Sequence, residues 1–320
     1  MKLGLTILLN NMCNLKCAYC YERNSGEYIL TKENIDSILD RFSKMSFFNG
    51  SVELFGGEPT LSLNVIDHML QKYPNYSYNI ITNGYFLKLN DKDIEVLKKV
   101  NDIVISIELT KEGFKFYRKQ DNLNEVIDRI LDLRSKGWRN LSVNVSINSH
   151  LNDYFDEFIQ NYELLKRNDI GFHFYSIKGE TGFTLNDFYQ FLMKLKERKP
   201  ELYNEIILKD GEISDTEFTC SFNDRITVNA KMEIVNCAWD NKFKCSLDES
   251  EDTIMNLYLE SLAGNHKSIY NGCSNCEVEI GKCSISCKAF FNDIEKSDNF
   301  DLLEKVCNME KIKEYLRREK

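Results

Sequence analysis

The sequence predicts an α/β fold built around a parallel sheet, because short β-like runs alternate with amphipathic helical patterns. The first run, LGLTILLN at residues 3–10, begins a series of six such runs. Connections of this kind are right-handed crossovers, which put the carboxyl ends of the strands at one edge of the sheet. The predicted architecture is a six-stranded β/α unit, either an open sheet or an incomplete barrel.

The six runs are short and rich in β-branched and aromatic residues, as expected of strands. They are LGLTILLN (3–10), SVELF (51–55), YNIIT (78–82), DIVISIEL (102–109), LSVNVSIN (141–148) and GFHFYSI (171–177). The segments between them carry apolar residues on one helical face. The first helix is predicted to follow Thr31 as N-cap and to bury Ile35, Ile38 and Leu39, while a later one ends at Gly137.

The fifth run favours the barrel over the open sheet. Its apolar residues alternate strictly with polar ones, LSVNVSIN, whereas a parallel strand buried on both faces is usually apolar throughout. One face would pack on helices and the other would meet something polar, such as a cofactor inside a barrel. An edge strand with one wet face is the alternative, and the residues alone leave both open.

The composition is that of an ordered globular protein, with 42% hydrophobic residues, 28% charged residues and three prolines. A net charge of −9 without a basic stripe argues against nucleic acid or an anionic membrane as partner. The apolar run at the N-terminus is too short for a signal peptide or a membrane span. We therefore expect a cytoplasmic protein.

Eleven cysteines are unevenly distributed along the chain. Three lie in CNLKCAYC at residues 13–20, and the other eight lie between Cys220 and Cys307. Disulfides are typical of small exported proteins, and this chain has neither an export signal nor a small core. The distribution instead predicts two metal-binding regions separated by a cysteine-free scaffold.

Four motifs lie at the carboxyl ends of four successive predicted strands. They are CNLKCAYC, FGGEPTL, TNG and SIEL. In barrels of this kind the active site is built from the loops at the carboxyl ends of the strands. Glycines 56 and 57 are expected to let the backbone approach a ligand closely. The common position of the motifs predicts one shared site.

The spacing C-x3-C-x2-C, with Tyr19 before the last cysteine and GGEP after the next strand, resembles the radical S-adenosylmethionine (SAM) superfamily. In that family three thiolates, here Cys13, Cys17 and Cys20, hold a [4Fe–4S] cluster, and SAM completes the shell of the fourth iron. One electron from the cluster cleaves SAM to a 5′-deoxyadenosyl radical that abstracts a substrate hydrogen. The resemblance implies a partial (β/α)6 TIM-like barrel. A zinc knuckle or a chance spacing is the alternative interpretation of the three cysteines.

The resemblance also implies a cofactor-binding set: Gly56, Gly57, Glu58, Pro59, Asn83, Ser106, Arg118 and Asn144. The GGEP residues would contact the methionine amine of SAM, and Ser106 its ribose or carboxylate. Arg118 matches an arginine that follows this serine in related maturases, although a solvated charge on a helix surface is the alternative. Where related sequences have S-x-D-G, this chain has a glutamate, Glu108, and no glycine.

The later cysteines resemble the SPASM extension of radical SAM maturases, which carries two auxiliary [4Fe–4S] clusters. The resemblance assigns one cluster to Cys220, Cys237 and Cys287 and the other to Cys273, Cys276, Cys283 and Cys307. Two spacings differ from the family pattern, and Met232 replaces its glycine. The segment between the first two cysteines is predicted to form a hairpin, 225–228 and 232–235, with Asn229 in a left-handed turn position. A zinc site built from four of these thiols is the alternative.

Cys245 remains outside both sets. We expect it to be the fourth ligand of the first auxiliary cluster, with a hydrogen-atom donor and a buried thiol as alternatives. The predicted domains are a radical SAM partial barrel over 1–205 and an auxiliary-cluster domain with a C-terminal helix over 206–320. Three [4Fe–4S] clusters and SAM are the cofactors that the resemblance implies.

SPASM-bearing enzymes mostly modify peptides, so the resemblance implies a maturase that oxidatively cross-links a ribosomally made peptide through a thioether, C–C or C–O bond. A formylglycine-forming sulfatase maturase, a dehydrogenase or an epimerase are alternatives within the superfamily, and an iron–sulfur electron carrier lies outside it. A flavodoxin or ferredoxin-type donor is the implied electron source. From the short N-terminal approach to the first strand we expect no leader-recognition domain, which makes a separate leader-binding protein a candidate partner.

Overall fold

The computed structural model describes residues 2–20, 27–176, 185–209, 224–235 and 244–265. Nine strands form one sheet within these ranges. They are β1 Leu3–Asn10, β2 Phe48–Gly56, β3 Ser77–Thr82, β4 Asp102–Ile107, β5 Leu141–Ile147, β6 Gly171–Ser176, β7 Arg225–Val228, β8 Glu233–Val235 and β9 Lys244–Ser246. The six predicted strands are β1 to β6, so the predicted α/β unit is confirmed.

The strand order is β6-β5-β4-β3-β2-β1-β7-β8-β9. The first seven strands in this order are parallel to their neighbours, and β7, β8 and β9 pair antiparallel with one another. The parallel order of β1 to β6 follows the chain, as expected for successive right-handed crossovers in a partial barrel. Because β7 pairs with β1, the sheet continues past the six predicted strands.

Helices and short turns connect the strands. The helices are α1 Lys32–Phe42, α2 Leu63–Lys72, α3 Asp91–Ile94, α4 Lys111–Gly113, α5 Leu123–Ser135, α6 Phe155–Arg167, α7 Leu185–Arg198, α8 Pro200–Lys209 and α9 Glu251–Asn265. Thr31 caps α1 as predicted, since its side chain accepts a hydrogen bond from the backbone N–H of Asn34 while the Asn34 side chain bonds back to Thr31. Gly137, at φ 90°, follows α5 in a left-handed conformation.

The two faces of the sheet differ in chemistry. One face packs against the helices and carries buried apolar residues such as Ile7, Val143 and Phe172. The opposite face, called the inner face below, carries residues such as Asn144 and His173. Strand β5 is paired on both sides, by β4 and β6. Its polar alternation therefore marks the inner face of a barrel, and the edge-strand alternative is wrong.

The predicted hairpin is present as β7 and β8, but its left-handed residue differs from the expectation. Met232, at φ 65°, takes this conformation, and Asn229 does not. The Asn229 side-chain oxygen instead accepts hydrogen bonds from the backbone N–H groups of Lys231 and Glu233. An Asx turn thus shapes the loop and moves the strained position to Met232, where the family pattern has glycine.

Several predictions fall on parts of the chain that the structure does not describe. They concern Cys220, Cys237, Cys273, Cys276, Cys283, Cys287, Cys307 and the C-terminal helix. The domain boundary at 205 stays a prediction. No helix within the described ranges has the length and apolar character needed to cross a membrane.

Candidate cofactor site at the carboxyl ends of the strands

The cysteine loop follows β1 directly. Cys13 is exposed, and Cys17 and Cys20 are partly buried. The loop is anchored to the segment after β4 by a 2.8 Å hydrogen bond from the backbone N–H of Ala18 to the carbonyl oxygen of Tyr117. Because this segment also carries Arg118, the anchor brings two of the predicted motifs together.

The two glycines of GGEP make room for the chain that leads into the cysteine loop. A Cβ atom on Gly56 would lie 2.2 Å from the carbonyl oxygen of Asn10, and one on Gly57 would lie 2.2 Å from that of Met12. Backbone hydrogen bonds join the same segments, from Gly57 N to Asn10 O at 2.8 Å and from Glu58 N to Met12 O at 2.7 Å. The close approach that these glycines permit is therefore between two backbone segments of the protein.

The Glu58 carboxylate is fully buried and fixes the turn to the next strand. It accepts hydrogen bonds from the N–H and hydroxyl of Thr60, from the Thr82 hydroxyl at 2.7 Å and from the Asn83 backbone N–H at 2.7 Å. Burial raises the pKa of Glu58, and these donors oppose the increase. Pro59 is buried as the first residue of the 3-10 turn Pro59–Ser62. The glutamate side chain is thus used within the protein, and the backbone of the turn is what remains for a ligand.

Asn83, in the TNG motif, reaches the cysteine loop. Its side-chain amide donates to Asn14 Oδ1 at 3.0 Å and lies 3.4 Å from Cys13 Sγ. Its side-chain oxygen accepts from the Tyr85 N–H at 2.9 Å, which fixes the orientation of the amide. The structure thus places the motif after β3 beside the first cysteine, although the two are 70 residues apart in sequence.

Arg118 lies at the end of a π-helical turn, Phe114–Arg118. Its side chain is 5% exposed, so the alternative of a solvated surface charge is wrong. Its Nε donates to the Glu108 carboxylate at 2.8 Å, and Nη1 lies 3.9 Å from Cys17 Sγ. Among the described residues, the buried Nη2 has no hydrogen-bond acceptor. A buried guanidinium with a free N–H suits an anionic ligand beside Cys17.

Tyr19 brings the cysteine loop to the same carboxylate. Its hydroxyl donates to Glu108 Oε1 at 2.7 Å and accepts from the Tyr175 hydroxyl at 3.2 Å. Ser146, on β5, donates to Glu108 Oε1 at 3.1 Å. Burial raises the pKa of Tyr19 far above its ordinary value, with Arg118 opposing and Glu108 reinforcing the increase. The phenol therefore stays protonated and acts as a donor to Glu108.

Ser106 and Asn144 lie side by side on the inner face, in register between β4 and β5. Both are partly buried, and His173 is the register partner of Asn144 on β6. His173 is exposed. Cys245 lies on β9, where burial raises the pKa of its thiol. In the strand order, β7 and β8 stand between β9 and the strand that leads into the cysteine loop.

The chemistry of the cysteine loop fits a cluster and its nucleotide ligand. The three cysteines lie on one short loop, and negative charge on Cys13 or Cys20 raises the pKa of the Cys17 thiol. Thiolates are the ligands of iron–sulfur clusters. Burial raises the pKa of the Cys17 thiol and Arg118 opposes this, so the guanidinium favours the thiolate that binds iron. In the described ranges, the side chains form no complete metal site of three Cys, His, Asp or Glu residues.

Three residues of this site were absent from the predicted set. Glu108 appeared in the sequence only as a departure from a family motif, and Tyr19 only as part of the cysteine motif. Tyr175 could have been predicted from the sequence, because side chains alternate along β6 and Tyr175 therefore lies on the same face as His173. The sequence did not show which residues of other segments these three side chains would contact.

Comparison with known proteins places the chain in a family. The family model for the radical SAM superfamily matches residues 7–195. A radical SAM cyclopropyl synthase, TigE from Paramaledivibacter caminithermalis, is 23% identical over 99% of this chain and 74% of its own length. A probable GTP 3′,8-cyclase from Saccharolobus islandicus is 29% identical over 52% of this chain and 54% of its own length.

Two groups of solved structures share the fold. Native anSMEcpe with bound AdoMet has a TM-score of 0.65 and 19% identity over 96% of this chain and 99% of its own. Streptococcus suis SuiB bound to S-adenosylmethionine has a TM-score of 0.59 and 16% identity over 88% of this chain and 72% of its own. These similarities confirm the fold of a partial barrel. Together with the match over residues 7–195, the cysteine loop identifies the chain as an enzyme of the radical SAM superfamily, which implies SAM and a [4Fe–4S] cluster as cofactors.

Proposed function

We propose that this enzyme is a peptide maturase, which uses SAM to oxidise a C–H position of a ribosomally made peptide and so forms a thioether, C–C or C–O cross-link. The observation that carries the proposal is the meeting of the cysteine loop, Asn83 and the buried Arg118 at one end of the sheet. When bound, the cluster and SAM would supply a one-electron cleavage that yields a radical able to take one hydrogen atom from the substrate, and an auxiliary cluster would accept the electron that leaves, together with a proton, as the cross-link forms.

The residues of this chain would divide the work of holding the cofactors. Cys13, Cys17 and Cys20 supply the thiolates. Arg118 is oriented by Glu108 and offers a buried, free N–H to an anionic group of SAM. The backbone of the GGEP turn, held by the buried Glu58, would meet the amine of SAM, and Ser106 and Asn144 on the inner face would meet its polar nucleoside groups.

A peptide substrate is supported by the relatives and by the inner face. SuiB has been solved bound to its precursor peptide SuiA, and anSMEcpe with a Cp18Cys peptide. In this chain the inner face offers the partly buried apolar residues Phe55, Ile81 and Val104 close to polar ones such as Asn144. A surface of this mixed character accommodates an amino-acid side chain together with its amide groups.

The first test is the production of 5′-deoxyadenosine by anaerobic, reduced protein supplied with SAM. Wild type should form it, C17A should form none, and R118K should form it at about one tenth of the wild-type rate or less, because a single ammonium nitrogen cannot occupy both the Nε position that bonds Glu108 and the Nη2 position that faces the ligand. R134K is the matched control, since Arg134 is partly buried and bonds to Trp138, Asn168 and Asp169 outside the site. Equal rates in R118K and R134K would contradict the role of Arg118, and no product from wild type would contradict the proposed function.

The auxiliary clusters are tested by iron and sulfide analysis. Three [4Fe–4S] clusters correspond to about twelve irons per chain. About four irons together with one zinc would contradict the assignment of Cys220 to Cys307 to two clusters, and would favour a structural zinc site instead. Mass spectrometry of a candidate peptide then separates the reactions, since a cross-link removes two hydrogens while an epimerisation leaves the mass unchanged.

A further inference from the structure

Glu108 is the point at which three parts of the site meet. Its carboxylate is fully buried just after β4. Tyr19 of the cysteine loop donates to it at 2.7 Å, Arg118 of the π-helical turn at 2.8 Å, and Ser146 of β5 at 3.1 Å. The three donors come from segments far apart in sequence, so this one side chain joins the loop, the turn and the sheet.

The two donors nearest the cysteines are also held against each other. The guanidinium carbon of Arg118 lies 5.4 Å from the centre of the Tyr19 ring, within the range of a cation–π contact. Tyr19 directly precedes Cys20, and Arg118 Nη1 lies 3.9 Å from Cys17 Sγ. A shift of the Glu108 carboxylate would therefore move the Tyr19 ring, which belongs to the cysteine loop, and the Arg118 guanidinium, which contacts it.

From this geometry we infer that Glu108 is a positioning residue of the SAM site, which sets the orientation of Tyr19 and Arg118 without touching the cofactor itself. The inference rests on the proposed function, because it requires that SAM binds beside these two side chains. Mutation of the partners that orient the groups around a metal centre typically costs about 10- to 100-fold in affinity or activity. A buried carboxylate with three donors is such a partner.

The length of the side chain matters as well as its charge. An aspartate at position 108 would withdraw the carboxylate by about one C–C bond, which is more than bonds of 2.7 and 2.8 Å tolerate. A glutamine would keep the length, but its NH2 group would face a donor, Tyr19 or Arg118, and would leave Arg118 without its buried counter-charge. E108D and E108Q thus perturb the same contacts in two different ways.

The test measures SAM binding through the change that SAM causes in the electron paramagnetic resonance spectrum of the reduced cluster. We expect the dissociation constant of SAM to rise about 10- to 100-fold in both E108Q and E108D. Y19F keeps the ring and loses only the hydroxyl, so it should weaken binding less. In the E108Q background, Y19F should add a factor of about two or less, because the two residues act through one contact.

The control is D36N, which removes another carboxylate with several donors, on α1, outside the cofactor site. It should lower thermal stability and leave both the spectrum and the dissociation constant of SAM unchanged. If E108Q fails to bind iron, the Y19F variant becomes the test. A dissociation constant of SAM equal to that of the wild type in Y19F would then overturn the inference. Wild-type affinity in E108Q, or full additivity of the two substitutions, would also overturn it while the proposed function stands. A wild-type cluster that does not respond to SAM would overturn both.

Discussion

Gly57 shows how the absence of one side chain allows the site to form. Its missing Cβ leaves room for the Met12 carbonyl oxygen, which would otherwise lie 2.2 Å away. We expect G57A to destabilise the fold by about 1–3 kcal/mol, because backbone on both sides must move. The displaced residue 12 adjoins Cys13, so the variant should also bind less iron, which colorimetric iron analysis and thermal unfolding would measure.

G137A is the control for this prediction. A Cβ on Gly137 would meet nothing within 4 Å, although its φ of +90° is strained for alanine. G137A should therefore lose stability while it keeps the wild-type iron content. Equal iron contents in the two variants would contradict the role assigned to Gly57.

At the residue scale, the sequence identified the cysteines and the GGEP turn because these motifs have a characteristic spacing. It did not reveal how Glu58 and Glu108 are used. Both are carboxylates next to predicted strand ends, and both prove to be fully buried. Their donors, such as Thr82 and Ser146, come from other strands. These hydrogen bonds depend on which side chains the crossovers bring together, and the order of residues along the chain does not show this.

At the scale of elements, α1 and α2 are joined by an ion-pair network at Asp36. His68 Nε2 lies 2.8 Å and Lys72 Nζ 2.9 Å from its carboxylate, and the Tyr73 hydroxyl donates at 3.0 Å. Burial acts to raise the pKa of Asp36, but Lys72, His68 and Tyr73 together hold it at about 2. The two helices are thus coupled through a carboxylate that prefers its charged form when folded.

This coupling predicts a pH-dependent stability. The pKa of Asp36 is lower in the folded state than the ordinary 3.8, so its contribution is complete above about pH 5 and is lost as the pH falls from 4 toward 2. D36N should cost about 1 kcal/mol or less at neutral pH, since the site is partly exposed. The difference in Tm between wild type and D36N should shrink below pH 4.

The control for D36N is D67N, on α2, whose carboxylate makes no ion pair within the described ranges. D67N should leave Tm unchanged across the same pH range. A gap between wild type and D36N that stays constant down to pH 3 would contradict the assignment of the low pKa to Asp36.

The π-helical turn Phe114–Arg118 is an element that the sequence did not predict. The segment FKFYRK has no strict apolar pattern, so the sequence could not exclude that Arg118 lies on a helix surface. The wider turn instead directs Arg118 inward and presents the Tyr117 carbonyl oxygen to Ala18. Turns of this kind occur frequently at functional sites. Their local geometry is unfavourable, so they form only where tertiary contacts stabilise them.

At the scale of the whole molecule, the sheet does not end at the predicted domain boundary. Strand β7 pairs with β1 through four register partners, Gly4 with Arg225, Leu5 with Ile226, Thr6 with Thr227 and Ile7 with Val228. A chain that ends at residue 205 would expose the edge of β1. We expect such a chain to aggregate, because an unpaired edge strand promotes association with other chains.

The matched comparison is a chain that ends at residue 265, which keeps β7, β8, β9 and α9. It should remain more soluble than the shorter chain, as measured by size-exclusion chromatography after anaerobic purification. If the 205-residue chain were monomeric and bound about four irons, as one [4Fe–4S] cluster requires, the barrel would be independent of β7.

The strand series, the capped first helix and the three cysteines at the end of β1 could be predicted from the sequence, because these features depend on residues close together in the chain. Three other features became visible only in the folded molecule: Glu108 bonds to Tyr19, Arg118 and Ser146, the GGEP glycines accommodate Asn10 and Met12, and β7 extends the sheet. Each of these features joins segments that are distant in sequence. Their geometry follows from how the strands pack, which local propensity does not specify.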